Sequence, residues 1–503
     1  MEECHLVLSE LRKGQGDKEA TRAHLRRVVH DCILSDPVAC SKSDLEESVL
    51  WRYCYYKCIE AFRKSISRLR VGDPKAKVDL IEVTGRFLHF LDQSKSQYLS
   101  LLQRLSEVPA SQYRCNLYLG DLCRYRELYD DSKVAKSYQV ASDYYLKALD
   151  FDMSQGTPHN QLAVVSQYLG KTCIAMYRYI RSLYAEHPFP TSGKNLDMLF
   201  RMVKLPLEGP LVVNTSSQRN ALLRDFLSRF VYLQSVVIGG GDAASIIDRI
   251  CTELPLLVKK SALSRDLYVA LIVGIIHSSL VGDDEAGFVI VTLLVDMYVE
   301  TRHNNLLVPI ALYLEWLHRN AFRLESGKDY FWDSLKRAMP LLQGSCSNDV
   351  FLWEDAELLG FSPFPWLTRK NVVEDLDEER AGRILRFFKH HFPENVPENE
   401  EEEEVILLAP GSRFEFAWLN DAPASPQHTQ YELPSLAEFS DPPPFASYHL
   451  EEKFPKDLFG SPFQKEEAPI MQFTLDTRLV SPSDFLPPKR DASSKPPGYE
   501  FRQ

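Results

Sequence analysis

A stretch of the chain between residues 117 and 196 repeats itself with a period of 34 residues, and this period constrains the fold more than any other feature. In each copy a small residue, a tyrosine, a second small residue and a leucine occupy positions i, i+4, i+7 and i+8, on one face of a helix. They are Ala141, Tyr145, Ala148 and Leu149 in the first copy, and Ala175, Tyr179, Ser182 and Leu183 in the second. A period of 34 is typical of the tetratricopeptide helix pair, whose small residues let neighbouring helices approach while the tyrosine fills the remaining space.

Each copy needs a partner helix. We expect Leu162 and Ala163 to supply the partner contact of the second copy. In the first copy, Leu119 and Gly120 occupy the equivalent place, beyond a longer, charged connection over residues 127–136. About three repeats are needed to bury a continuous core, so two repeats must be embedded in a larger helical domain. Surfaces of this kind bind partners more often than they catalyse reactions.

Length and composition are those of a globular protein, and the net charge argues against one class of nucleic-acid-binding protein. A chain of 503 residues has room for two or three domains, and its 45% hydrophobic and 25% charged residues are ordinary for a globular protein. The net charge of −12 argues against a protein that coats nucleic acid through bulk charge, although a local basic patch is compatible with it.

Targeting and redox signals are sparse. The first residues lack a basic stretch followed by an apolar core, so no secretory signal is predicted.

The most apolar windows, Leu267–Val281 and Ala286–Val299, are shorter than the roughly 20 residues of a membrane span, so we predict buried helices and no membrane partner. Ten cysteines without CxxC spacing indicate reduced thiols in the cytosol or nucleus.

Helical periodicity continues through nearly the whole first 400 residues, so we predict an all-α fold. We expect a repeat-containing domain over 1–205, a domain of α-helical hairpins over 206–395, an acidic linker with short extended segments over 396–420, and a proline-rich, disordered tail over 421–503. The tail also carries aromatic residues, so it is either a flexible spacer or a set of short partner-binding motifs. In the second domain the predicted helices are Arg219–Val237, Ala244–Val258, Ser264–Leu280, Ala286–Glu300 and Leu306–Asn320.

No enzyme signature is present. The sequence lacks a phosphate-binding glycine loop, HExxH and GxSxG, and its C-terminal region lacks the spaced aspartates of a metal-dependent nuclease. His390 and His391 have no cysteine or carboxylate at ligand spacing, so no metal site is predicted. We therefore expect a protein without catalytic residues, metal or cofactor.

Two basic groups could bind phosphate. Lys57 and Lys64 are seven residues apart, which puts both on one side of a helix. Arg124-Tyr125-Arg126 closes the helix that opens the repeat block. A phosphate needs convergent lysine and arginine donors, to which a tyrosine hydroxyl can add a bond. The alternative is that these are solvated helix faces whose side-chain stems cover apolar surface.

The segment LGDLCRYR, Leu119–Arg126, resembles the LGDxxRYR motif of the SMG family of nonsense-mediated mRNA decay adaptors and their telomerase-associated relatives. A second block, Trp353–Pro363, is similar to the family's EDxELxGFxPL segment, and it follows the first in family order. The resemblance covers roughly residues 1–395. Between the two blocks the match includes Tyr144–Leu149, Gly156–Ala163, Ala175–Leu183, Pro188–Pro190 and Asn195–Leu196.

The resemblance implies a 14-3-3-like domain with tetratricopeptide character, followed by α-helical hairpins. It also implies that this domain binds phosphoserine or phosphothreonine peptides, notably those of the phosphorylated up-frameshift RNA helicase. The phosphate is assigned to Lys57, Lys64, Arg124 and Tyr125, and the peptide backbone to Asn160. Whether Arg63 faces the phosphate in place of Lys64 stays open.

Other partners follow from the same resemblance. Without a PIN nuclease domain the chain matches the SMG-seven type, whereas the long connection after Arg126 is closer to the SMG-five type. We expect a heterodimer with a paralogue, recruitment of protein phosphatase 2A or of deadenylation and decapping factors, and a cytoplasmic location with shuttling to the nucleus. The alternatives are a telomerase-associated protein that binds RNA or single-stranded DNA, a degenerate nuclease, and a generic helical scaffold.

The first helices carry much apolar surface near Trp51. This surface either pairs with a partner chain or covers the protein's own repeat block. The residues concerned are Cys32, Ile33, Leu34, Val38, Leu45 and Val49.

Overall fold

The computed structural model describes residues 2–391, apart from 14–17, 44, 72–76, 133–135, 207–208, 210, 212, 325–327, 344–349 and 368–374. The acidic linker and the tail predicted over 396–503 lie outside the described residues. Within them the chain is helical and has no strand, and a single parallel bridge joins Gln155 to His187. The prediction of an all-α fold is confirmed.

The first half of the described chain contains ten α-helices and a π-helical segment, Leu45–Tyr56. The helices are α1 (Glu2–Lys13), α2 (Lys18–Ser35), α3 (Pro37–Ser41), α4 (Lys57–Val71), α5 (Lys77–Arg104), α6 (Pro109–Tyr129), α7 (Gln139–Phe151), α8 (Thr157–Tyr168), α9 (Thr172–Leu183) and α10 (Ser192–Met202). The second half contains α11 (Ser216–Ile238), α12 (Ala244–Lys259), α13 (Arg265–Val281), α14 (Glu285–Thr301), α15 (Leu307–Arg319), α16 (Asp329–Ala338), α17 (Trp353–Leu358) and α18 (Asp377–His391).

The five helices predicted in the second half correspond to α11–α15, with ends that differ by a few residues. The start of α11 shows why an end can be missed. Thr215 and Gln218 form a capping box, in which each side chain accepts a hydrogen bond from the other residue's backbone N–H. The helix therefore begins at Ser216, three residues before the start at Arg219 that the apolar pattern predicts. None of the described helices is both long and apolar enough to cross a membrane.

The 34-residue repeat corresponds to two pairs of packed helices, α6 with α7 and α8 with α9. All eight repeated positions are buried, as the pattern predicts for one face of each helix. Gly120 allows α6 to approach α7 closely, because a Cβ atom at this position would overlap the ring of Tyr145. Gly120 and Tyr145 thus pack directly against each other across the two helices.

Two hydrophobic cores are built along the chain. The first contains side chains from α1 to α8, and stacked rings of Trp51 and Tyr118, 4.4 Å apart, lie inside it. The second contains side chains from α8 to α18. Helix α8 serves both cores, since Leu162 belongs to the first and Ala163 to the second. The domain boundary proposed near residue 205 stays a prediction.

The second sequence block, Trp353–Pro363, holds α18 against the rest of the second half. Glu354 accepts two hydrogen bonds from Arg380, at 2.7 and 2.8 Å. Asp355 likewise accepts two from Arg383, at 2.9 and 2.8 Å. Both carboxylates are buried, so the two ion pairs are removed from water.

The same block also reaches back to α9. The backbone N–H of Ser362 donates to the carbonyl of Tyr184, at 2.9 Å, and Phe361 lies edge-on against the Tyr184 ring. Gly360 has a positive φ of 76°, and a Cβ atom there would collide with the carbonyl oxygen of Met153. This close approach ties the end of the hairpin region to the repeat helices.

Candidate phosphate-binding site

Two arginines from different helices meet on the ring of Tyr125. The Cζ atom of Arg124, on α6, lies 4.4 Å from the ring centroid, and the Cζ atom of Arg63, on α4, lies 5.4 Å from it. Because both contact one ring, the two guanidinium groups are within about 10 Å of each other. Arg63 also donates through Nε to the hydroxyl of Tyr129, at 3.3 Å. The predicted residues Arg124 and Tyr125 are therefore part of a basic, tyrosine-lined cluster.

The carboxylate of Asp121 organises the buried side of this cluster. Its Oδ1 accepts hydrogen bonds from Arg124 Nη2 at 3.2 Å, from the Tyr145 hydroxyl at 2.7 Å and from Gln161 Nε2 at 2.9 Å. Burial alone lowers the pKa of Arg124, but Tyr145, Tyr125 and Asp121 together raise it well above its usual value. Arg124 therefore stays charged although it is fully buried.

Arg124 nevertheless has a donor to spare, because its Nη1 atom is buried and has no hydrogen-bond partner. Asn160, the predicted peptide-binding residue, is similar. It is fully buried, its Oδ1 accepts from Asn195 Nδ2 at 2.8 Å, and its own Nδ2 has no partner. Arg124 lies on α6 and Asn160 on α8, so both donors without partners come from helices that contribute to the Asp121 network. Buried donors without partners are uncommon and call for a physical reason.

The two lysines predicted to bind phosphate have other contacts, and their role stays a prediction. Nζ of Lys57 is 4.3 Å from the ring of Tyr53, and Lys64 forms an ion pair with Glu60, at 2.8 Å. Among the described contacts, neither lysine forms a hydrogen bond, ion pair or ring contact with Arg124 or Tyr125. Burial lowers the pKa of Lys57, and the charges of nearby arginines lower it further; they are Arg52, Arg22 and Arg12.

The choice between Arg63 and Lys64 as the phosphate ligand stays a prediction, and the helix face favours Arg63. Arg63, and not Lys64, contacts Tyr125. A signal for this was present in the sequence, since Tyr56, Ile59 and Ile66 repeat at helical spacing and are all buried. Residue 63 falls on that buried face and residue 64 falls off it.

Much of the apolar surface of the first helices covers the protein's own core. Ile33 and Trp51 are buried in the first core, and Cys32, Leu34 and Val49 pack against it. Val38 is 57% exposed, and Leu6, an apolar residue of α1, is 62% exposed. The Leu45 side chain lies outside the described ones, and Val38 is the one described residue of the predicted surface that stays exposed.

The fold and this cluster define an all-helical, repeat-containing protein with a basic, tyrosine-lined site on its first core. Residues 46–111 match the family model described as "Telomerase activating protein Est1", and residues 141–276 match "Est1 DNA/RNA binding domain". These matches support the SMG/EST1 family that the two sequence blocks indicate.

Individual relatives agree with this assignment. "Nonsense-mediated mRNA decay factor SMG7" of Arabidopsis thaliana is 32% identical over 219 residues, which are 35% of this chain and 20% of the relative. "Telomerase-binding protein EST1A" of Danio rerio is 30% identical over 210 residues, which are 36% of this chain and 13% of the relative. The similar region thus spans a fifth or less of the length of each of these two relatives.

The fold also resembles a solved structure, described as "Crystal structure of Est1 and Cdc13". The TM-score is 0.54 at 13% sequence identity, and the superposition covers 77% of this chain and 93% of that chain. At this identity the likeness concerns the fold alone.

Proposed function

We propose that the chain is a non-enzymatic adaptor of nonsense-mediated mRNA decay that captures a phosphorylated peptide of the up-frameshift RNA helicase. The observation that carries the proposal is the pair of guanidinium groups on the Tyr125 ring. The donors without partners on Arg124 and Asn160 add to it, since a phosphate and a peptide carbonyl supply the missing acceptors. The relatedness to decay factors supplies the biological process.

A phosphate enters this cluster from the side of Arg63, which is half-buried, whereas Arg124 is fully buried. In the unbound state Arg63 donates to the neutral hydroxyl of Tyr129. A phosphate replaces this acceptor with a charged one, and charge-assisted hydrogen bonds are roughly twice as strong as neutral ones.

Replacing Arg63 by alanine should weaken binding of a phosphorylated SQ peptide by roughly 10- to 150-fold, since a hydrogen bond to a charged group contributes about 1.5–3 kcal/mol. The matched control is Lys64→Ala, at the next residue. The Lys64 side chain is 65% exposed, and its amine forms an ion pair with Glu60. We expect less than about a threefold change for the control. Fluorescence anisotropy with labelled phosphorylated and unphosphorylated helicase peptides measures both.

Two results would contradict the proposed pocket. One is equal affinity for the phosphorylated and unphosphorylated peptides. The other is a loss for Lys64→Ala as large as that for Arg63→Ala, which would place the phosphate on the other side of α4. Lys57→Ala in the same assay decides whether the basic group around Tyr53 belongs to the site.

We also propose that the chain pairs with an SMG-family paralogue and recruits a phosphatase or decay factors in the cytoplasm. The exposed apolar residues Leu6 and Val38 on the first helices are the candidate contact. Light scattering should give a heterodimer mass for the mixed paralogues, and Val38→Asp should return the mixture to separate monomers. Monomers in the wild-type mixture at micromolar concentration would remove pairing and leave capture by single chains.

Binding of single-stranded nucleic acid is the second candidate, because residues 141–276 match a domain described as DNA/RNA binding. The net charge of −12 does not favour it. A labelled single-stranded RNA oligonucleotide in the same anisotropy assay distinguishes the two. RNA binding that is stronger than phosphopeptide binding, and that falls steeply with salt, would favour this second candidate.

A further inference from the structure

Three histidines come together where the ends of α15 and α18 meet. His318 lies in the last turn of α15, and His390 and His391 are the last two residues of α18. The ring centroids of His318 and His390 are 4.6 Å apart, those of His390 and His391 are 5.0 Å apart, and those of His318 and His391 are 5.5 Å apart. One nitrogen of each ring lies within 4.8 Å of a nitrogen of the other two.

The spacing of the nitrogens suits a tetrahedral metal ion. Nδ1 of His318 and Nε2 of His391 are 3.4 Å apart. Two nitrogens bound at 2.0–2.1 Å to a tetrahedral Zn²⁺ are themselves separated by about 3.4 Å. Since all the ligand nitrogens lie within 4.8 Å of one another, no pair has to close by more than about 1.4 Å. His390 is exposed, so its ring can rotate to close this gap.

His318 is poorly satisfied by protein groups. It is 93% buried, with 7% of its surface exposed, and its Nε2 atom has no hydrogen-bond partner. Its Nδ1 atom has only the long contact of 3.4 Å with His391 Nε2. An ion bound at Nδ1 would give this buried imidazole a strong partner on the side of His391, because buried polar groups in native proteins nearly always have a partner.

We propose that His318, His390 and His391 form a binding site for a divalent transition-metal ion of the class that prefers imidazole, with Zn²⁺ as the representative. Three protein ligands leave a fourth position, which water can fill from the exposed side of His390. Neutral imidazole is an established ligand for Zn²⁺, Cu²⁺ and Ni²⁺. The ion would join the ends of α15 and α18 and so reinforce the second core.

The surroundings agree with neutral imidazole ligands. Burial lowers the pKa of His318 to about 4, and the charges of His390 and His391 lower it further. Burial likewise lowers the pKa of His391 to about 4. Two arginines lie nearby, but each has a contact of its own: Arg386 pairs with Glu315, and Arg319 lies on the ring of Trp366. Both shifts favour the neutral form of His318 and His391, which is the form that binds an ion.

The test is a titration of the full, untagged chain with Zn²⁺ after treatment with a chelator, together with Co²⁺ as an optical probe. We expect one ion per chain, a tetrahedral Co²⁺ absorption band, and a thermal unfolding midpoint that rises with Zn²⁺. His390→Ala removes an exposed ligand and should reduce the affinity at least as much as loss of an outer-shell partner does, which is about 10- to 100-fold. The matched control is His89→Ala, since His89 is an exposed histidine on α5.

The possible results distinguish a metal site from a simple helix–helix contact. Binding in the wild type and in His89→Ala that is lost in His390→Ala supports the site. The absence of stoichiometric binding, or equal affinity in wild type and His390→Ala, overturns it and leaves the histidines as a helix–helix contact. If His390→Ala loses helical signal in circular dichroism, His390→Gln replaces it, and unchanged affinity in that folded variant overturns the site as well.

Discussion

Replacing Arg380 by methionine should lower the free energy of unfolding by about 3–5 kcal/mol, because it leaves a buried carboxylate without its cation. Arg380 is fully buried, and both oxygens of Glu354 accept hydrogen bonds from it. Its other partners, Asp375 and Asp377, are 51% and 31% exposed, so water can replace the arginine there but not at Glu354. Urea unfolding followed by circular dichroism measures the loss.

Arg337→Met provides the control for this prediction. Arg337 also pairs with a carboxylate, that of Asp296, but the two side chains are 58% and 40% exposed, so we expect a loss below about 1 kcal/mol. The double variant Arg380→Met with Glu354→Leu should recover part of the lost stability, because it also removes the buried, unpaired carboxylate of Glu354. Equal losses for Arg380→Met and Arg337→Met would show that burial does not govern the strength of these pairs.

Replacing Arg124 by glutamate should unfold the first core and not merely remove a phosphate ligand. The new carboxylate would lie beside Asp121, which is itself buried, and the Tyr145 and Gln161 bonds cannot compensate two negative charges. Loss of a buried pair alone costs about 3–5 kcal/mol, and the like charge adds to it. Thermal unfolding should show an earlier transition for the first core, with the second core unfolding later.

Lys64→Glu is the charge-matched control, since it reverses an exposed lysine and places two glutamates at i and i+4, at a cost of about 0.2–0.5 kcal/mol. If Arg124→Glu were as stable as Lys64→Glu, the network at Asp121 would contribute little to folding. Arg124 could then be tested directly as a phosphate ligand. Until that result, Arg63 is the better position for a functional test, because its change leaves Asp121 paired.

Much of the helical architecture could be predicted because it rests on short-range patterns. The buried faces of α7 and α9 follow from small residues and tyrosines at helical spacing, and such spacing needs no knowledge of the partner helix. The helices α11–α15 follow from apolar periodicity in the same way. Family membership was readable too, since the block Leu119–Arg126 is contiguous in the chain.

The roles of particular side chains were decided by the tertiary structure. The sequence indicates that Arg124 is basic and near a tyrosine. Its bonds to Asp121 and Tyr145, and the bond from Gln161 to Asp121, depend on how three helices pack. The block Trp353–Pro363 identifies the family, yet its acidic residues bind arginines on α18 that no local pattern connects to them.

The histidines show the same division most plainly. The adjacent pair His390 and His391 is visible in the sequence, but spacing rules find no third ligand near them. His318 reaches His391 from 73 residues earlier in the chain, because α15 and α18 pack together. The sequence by itself determined which segments are helical and which faces are buried, since those depend on neighbours within a turn or two. Only the tertiary structure decided which charged and imidazole groups meet, because such contacts depend on how distant helices pack against one another.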